Sequence, residues 1–106
     1  MPQVSAGEES LAFQMKALGI RFERQVRFAP PRRWTFDFVV PVGMSKMAVE
    51  VEGGNWSGGH KRGAAADTDY EKFNEAALSG WWVLRFSTAM VEDGRAIATI
   101  ERALGR

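Results

Sequence analysis

Between Ile20 and Glu52 the apolar residues fall at every second position in three successive stretches, and this alternation constrains the fold more than any other feature. A period of two belongs to extended backbone, whose side chains point in turn to the two sides of a sheet. In the first stretch Ile20, Phe22, Val26 and Phe28 point one way. Arg21, Glu23, Gln25 and Arg27 point the other, and Arg24 interrupts the apolar row. Pro30-Pro31-Arg32-Arg33 breaks this strand. A second strand, about residues 34–40, places Trp34, Phe36, Phe38 and Val40 on one face and Thr35, Asp37 and Val39 on the other. Pro41-Val42-Gly43 reads as a turn, so the third strand, about 46–52, is expected antiparallel to the second. There Met47, Val49 and Val51 alternate with Ala48, Glu50 and Glu52.

Helical spacing flanks these strands. Leu11, Met15 and Leu18 recur at i, i+4 and i+7, which predicts a helix over 5–18 with that row buried. Ser5 and Glu8 have the spacing of a capping box, and Gly19 is a natural stop. Residues 53–66, GGNWSGGHKRGAAA, contain too much glycine for a regular element and read as a long loop. A second helix is expected from Thr68, capped with Glu71, with Tyr70, Phe73 and Ala77 as its apolar face and Gly80 as its end. The run WWVLRF, 81–86, predicts a strand covered on both faces. A last helix, 94–104, buries Ile97, Ile100 and Leu104 behind Asp93 as a cap. The order predicts an α/β fold: an αβββαβα chain with a mixed four-stranded sheet flanked by helices.

Composition narrows the chemistry. The chain has 106 residues, 14 Lys and Arg, 13 Asp and Glu, one His and no Cys. That length fits a single domain over 1–106. The missing Cys excludes disulfides, thiolate metal sites and a cysteine nucleophile, and one His excludes a multi-His cage. No apolar run approaches the ~20 residues of a membrane span, and the N-terminus lacks a signal-peptide pattern, so a cytoplasmic setting and no membrane partner are expected. Net charge is +1, so a case for a polyanion partner has to come from where the charges sit. A core this small gains from a second copy, and a homodimer is expected, with Trp34, Trp56 and Trp81 as candidates for core or dimer face.

The acids are the informative group. Glu50 and Glu52 share a strand face, and pairing across the 41–45 turn brings Asp37 near Glu50. Gathered carboxylates repel one another unless a cation lies between them, and oxygen-only ligands suit a hard divalent ion, Mg²⁺ or Mn²⁺. The alternative is three solvated acids on an exposed face. Glu8 has two readings as well: a capping-box acid, or the first member of the buried row, facing the sheet and in need of a partner. Lys72 is either a solvated lysine paired with Asp69 or a cation held against the acids. His60, Lys61 and Arg62 are either a solvated loop or phosphate contacts.

The runs FDF (36–38), AVEVEGGNWSGGHKRG (48–63) and DYEKFNEAALSGWWVLRF (69–86) resemble small phage-type nucleases of the PD-(D/E)XK superfamily. Stand-alone viral VRR-NUC domains, Holliday-junction-resolvase-like enzymes, look most similar, and there is some likeness to very-short-patch-repair endonucleases. The resemblance covers residues 8–88 and implies a restriction-endonuclease-like core. It implies that Asp37, Glu50 and the Val51 carbonyl bind metal, with Glu8 as the first-helix acid. The pattern's lysine position holds Glu52 instead, so Lys72 becomes a lysine supplied from the next helix, and Glu8, Asp37, Glu50, Glu52 and Lys72 form the candidate catalytic set. His60, Lys61 and Arg62, with Arg32 and Arg33, are the candidate nucleic-acid contacts. The implied function is Mg²⁺- or Mn²⁺-dependent, structure-selective cleavage of branched DNA, in a host cytoplasm if phage-encoded. The runner-up is a catalytically inactive DNA-binding module of the same fold.

Overall fold

In a computed structural model of the chain, the structure describes residues 5–52 and 64–106, the side chains of 64–66 excepted. The elements run α1 Ala6–Ala17, β1 Glu23–Arg27, β2 Thr35–Val42, β3 Ser45–Glu52, α2 Ala64–Leu78, β4 Trp82–Ser87, α3 Thr88–Glu92 and α4 Arg95–Ala103. The sheet is mixed, in the order β1-β2-β3-β4. β1 pairs antiparallel with β2, and β2 with β3; β4 lies parallel to β3. Connecting two parallel neighbours requires a crossover, and α2 lies in that crossover.

Helices cover both faces of the sheet, and the two faces differ. On one, α1, α3 and α4 supply Leu11, Ala12, Met15, Val91, Ala96 and Ile100 against Phe38, Val40, Met47, Val49, Val51 and Phe86. On the other, α2 brings Ala76 against Phe36 and Ala48, with Phe28, Trp81 and Val83 packed around them.

Phe36 and Phe38 are both fully buried, yet on opposite faces. The expected single aromatic row through Trp34, Phe36, Phe38 and Val40 is therefore broken at Asp37. The row of β1 breaks at the same rung: Phe22 packs edge-on to Phe38, whereas Phe28 stacks on Phe36 at 4.0 Å. The cause lies in the backbone. Gln25 sits at φ +51°, the left-handed region that costs a residue with a Cβ about 1 kcal/mol or more. Its kink lies between the paired rungs Arg24↔Phe38 and Val26↔Phe36. Arg24, the residue that spoils the alternation in the sequence, precedes it.

Other differences follow from packing. Leu18 does not continue the buried row of α1; it caps the helix and is exposed. α2 starts four residues before Thr68. It turns Ala76 to the sheet and leaves Tyr70 and Ala77 exposed, because only a small side chain fits between the helix and Ala48. β4 is an edge strand with Trp82 and Arg85 exposed, where a strand covered on both faces was expected. The last helical region is two helices. Asp93 ends α3 and its Oδ1 accepts a hydrogen bond from Arg95 N at the start of α4 (3.0 Å).

Candidate active site

At the Gln25–Asp37 kink, β2 and β3 exchange side-chain bonds in place of a ladder rung. Their last paired rung is Phe38↔Val49. Beyond it the Glu50 carboxylate accepts from Asp37 N through Oε2 (2.8 Å), and the Asp37 carboxylate accepts from Val51 N through Oδ2 (2.8 Å). Each acid thus fills the other strand's backbone need, and both are fixed where the two strands part.

α2 adds the cation. Lys72 stands on the side of the helix next to Phe73 and Ala76, and its Nζ donates to Glu50 Oε1 at 2.6 Å. Both side chains are largely buried, 15% and 11% exposed, so little water screens the pair. The ammonium also lies over the Phe36 and Phe73 rings.

α1 adds Glu8. The Ser5 hydroxyl accepts from Glu8 N at 3.1 Å, one half of a capping box. The Glu8 carboxylate completes the box by accepting from the Ser5 backbone N–H, and it also accepts from Gln25 Nε2 at 3.2 Å. Gly7 allows this placement: a Cβ there would stand 2.8 Å from the Thr88 hydroxyl and 3.0 Å from Val51, so the first turn of α1 lies against the sheet.

Gln25 links these parts. Its amide donates to Glu8, accepts from the Thr35 hydroxyl at 3.2 Å and hydrogen-bonds the Asp37 carboxylate. Sequence reasoning placed Gln25 among the outward polar residues of β1. The only signal of its role was the misplaced Arg24 beside it.

Electrostatics follow from this crowding. Burial first, then the Asp37 charge, hold the Glu50 carboxyl above its usual range, and Lys72 opposes them. Asp37 is raised by burial and then by Glu8, against the Val51 N–H, Lys72 and Gln25. Glu8 is raised by burial and, less strongly, by Glu50. Two buried carboxylates, Glu8 and Glu50, and the half-buried Asp37 each hold a proton more tightly because of burial and a neighbouring acid, which is a favourable environment for a divalent cation. The donor set is oxygen only, which suits Mg²⁺ or Mn²⁺. Among the described residues, however, no three acids stand gathered as a ready ligand set. Both Glu50 oxygens are engaged, by Lys72 and by Asp37 N.

The remaining candidates lie elsewhere. Glu52 pairs with Arg85, whose Nε donates to it at 2.7 Å and whose Nη2 also bonds it; the Arg85 guanidinium lies over the same Phe73 ring as Lys72. Arg32 and Arg33 are exposed, in the β1–β2 connection. Arg32 lies 3.7 Å from Glu71 and over the Trp34 ring. Trp81 packs inside the α2 face and Trp34 stacks on Phe28. His60, Lys61, Arg62 and Trp56 lie outside the described residues.

No protein-family model matches the chain, and no curated protein does. Among solved structures it is similar to the catalytic domain of the homing endonuclease I-Bth0305I, at a TM-score of 0.69, 18% identity and coverage of 94% of each chain. The chain therefore has an α/β fold, a mixed four-stranded sheet between helices, that it shares with a nuclease catalytic domain.

Proposed function

We propose that this chain, as one domain over residues 1–106, is a divalent-metal-dependent DNA endonuclease selective for branched DNA such as a Holliday junction. In this reading it works as a homodimer in the cytoplasm, a host's if it is phage-encoded, and its relatives in activity are the VRR-NUC nucleases. The observation that carries the reading is the joint grip of Asp37, Glu50 and Lys72 at the point where β2 and β3 part. Nothing in sheet packing requires a largely buried Glu50–Lys72 pair beside the half-buried Asp37, and replacing such a group by apolar side chains is often neutral for stability. A shared fold with a nuclease catalytic domain supports the same reading.

Asp37, Glu50 and the Val51 carbonyl are the groups that would hold the metal, with Glu8 close behind. When bound, it supplies a lowered pKa for water and a counter-charge for the phosphate. The attacking water gives up its proton to a carboxylate oxygen not occupied by the metal, or to solvent. The water oxygen bonds to phosphorus, the bond to the leaving sugar oxygen breaks, and that oxygen takes a proton from solvent. Lys72 supplies positive charge where negative charge builds on the phosphorane. Gln25 fixes Glu8 and Asp37 relative to each other. Glu52, committed to Arg85, has no part in these steps.

DNA binding rests on Arg32, Arg33 and the basic run His60, Lys61 and Arg62, which give affinity for phosphate without reading sequence. A two-fold dimer matches a junction with two scissile strands. The test is cleavage of four-way, nicked and linear DNAs with Mg²⁺, with Mn²⁺ and with EDTA. Metal-dependent nicking of the junction, abolished in Asp37→Ala, is the expected result. Tight binding of every DNA with no cleavage is the result of an inactive DNA-binding module and overturns the enzyme reading.

A further inference from the structure

Beside the carboxylate cluster, between the β1–β2 connection and α2, lies an open groove of about 460 Å³, lined by Pro31, Arg32, Trp34, Glu71, Asn74 and Glu75. None of the steps above uses it. Its floor is the end of an aromatic column. Phe36 lies under Lys72, Phe28 stacks on Phe36 at 4.0 Å, and Trp34 stacks on Phe28 at 6.3 Å with 23° between the planes. The Arg32 guanidinium lies 4.4 Å from the Trp34 ring centre. This side chain is more than half exposed, and Glu71 holds it by one contact of 3.7 Å. A planar, cationic cover held this weakly is readily exchanged for another planar group.

We infer that this groove is a binding site for an unpaired nucleobase bearing an exocyclic amine, taken from single-stranded DNA next to the scissile bond. Four features favour a base over other ligands. An indole face with a guanidinium beside it stacks any base, at about 1–3 kcal/mol per base. Glu71 and Glu75 repel phosphate, so the sugar-phosphate backbone stays outside, while their oxygens accept from an amine such as N4 of cytosine. Asn74 offers both a donor and an acceptor to the same edge. Arg32, displaced from the ring, and the neighbouring Arg33 lie on the outer side, where the flanking phosphates run.

Position gives the site a purpose. Trp34 precedes Asp37 by three residues in extended chain, roughly 10 Å at ~3.3 Å per residue. A base seated on Trp34 is therefore within a nucleotide or two of a phosphate at Asp37. Neither intact duplex nor a fully paired four-way junction offers such a base, whereas a branch with a single-stranded flap, fork or gap does. The inference rests on the nuclease reading for its purpose but not for its detection.

The experiment measures binding of the full chain, in EDTA, to fluorescent hexamers of deoxycytidine, of thymidine and of abasic deoxyribose-phosphate, by anisotropy. The expected order is deoxycytidine tightest and abasic weakest, about tenfold apart. Trp34→Leu brings these two within twofold of each other, and Trp34→Phe, which keeps a flat ring, restores the gap. Should Trp34→Leu not fold, Asn74→Ala, at an exposed helix position, is expected to narrow the cytidine–thymidine difference. Equal binding of deoxycytidine and abasic hexamers overturns the site, as does a preference that survives Trp34→Leu. Equal binding of deoxycytidine and thymidine overturns the role of the amine. Cleavage is read separately: base preference without any cleavage removes the nuclease reading and leaves the site standing, and cleavage without base preference does the reverse.

Discussion

The two faces of the sheet use opposite physics. The face under α1, α3 and α4 is apolar, filled by interlocking Leu, Met, Ile, Val and Phe side chains. The face under α2 has a far smaller apolar group, Phe36, Ala48 and Ala76, and beside it the buried Glu50–Lys72 pair. Burial on the first face stabilises by roughly 25 cal/mol per Å² of apolar surface. On the second it costs free energy, because carboxylates that water would solvate are held dry. The comparison teaches that one face makes the fold and the other is supported by it.

The largest separation between the faces is expected from Asp37→Asn. Cleavage falls by about 10³-fold, within the range for losing a positioned catalytic carboxylate. At neutral pH the same variant is expected to be more stable than wild type in urea melts, because a half-buried charge next to Glu50 and Glu8 is gone. The sign of the pH dependence follows. Folding raises the Asp37 carboxyl above its ordinary 3.8 and the Glu8 and Glu50 carboxyls above their ordinary 4.5. The folded chain thus holds these protons more tightly than the unfolded one. The stabilisation is complete below the ordinary values and is lost as pH rises through the raised folded ones. Wild type is therefore expected to gain stability on acidification from neutral toward pH ~5, and Asp37→Asn to gain less. A wild-type stability that falls throughout that window contradicts this account.

Next comes Phe38→Ala, one residue away on the apolar face. It should cost about 3–5 kcal/mol in urea melts, with the cleavage rate of the remaining folded fraction nearly unchanged. Equal damage to chemistry would erase the distinction between the faces. Lys72→Met sharpens it from the α2 side. Its length and apolarity keep the packing against Phe36 and Phe73, so cleavage is expected to drop about 10²-fold while junction binding changes little. A large loss of binding would make Lys72 a substrate anchor.

The smallest effect is the most diagnostic of Gln25. Asn tolerates the left-handed region better than Gln, so Gln25→Asn relieves up to ~1 kcal/mol of backbone strain, which the lost side-chain hydrogen bonds offset, and stability is expected to change little. Its amide is one methylene shorter and loses Glu8, so Mn²⁺ binding by calorimetry should weaken several-fold. Unchanged Mn²⁺ affinity would reduce Gln25 to a backbone feature.

Much of this was legible in the residues. The presence of three strands, the 41–45 turn and the acid spacing 37, 50, 52 follow from local pattern, although the alternation of faces itself breaks at Asp37. They determined the element order and the approach of Asp37 to Glu50. What they did not carry was the break at Gln25, since a backbone dihedral leaves no periodic trace beyond the stray Arg24. They also left the rotation of α2 open, because Tyr70-Phe73-Ala77 and Lys72-Phe73-Ala76 are both reasonable faces. Only the sheet decided between them: Ala48 demanded a small neighbour, and buried Glu50 demanded a cation. Glu52 and Glu50 look alike in the chain, but tertiary packing gave Arg85 to one and Lys72 to the other. Local periodicity is a property of the chain, whereas the partner of a buried charge is set by whatever the opposing element presents.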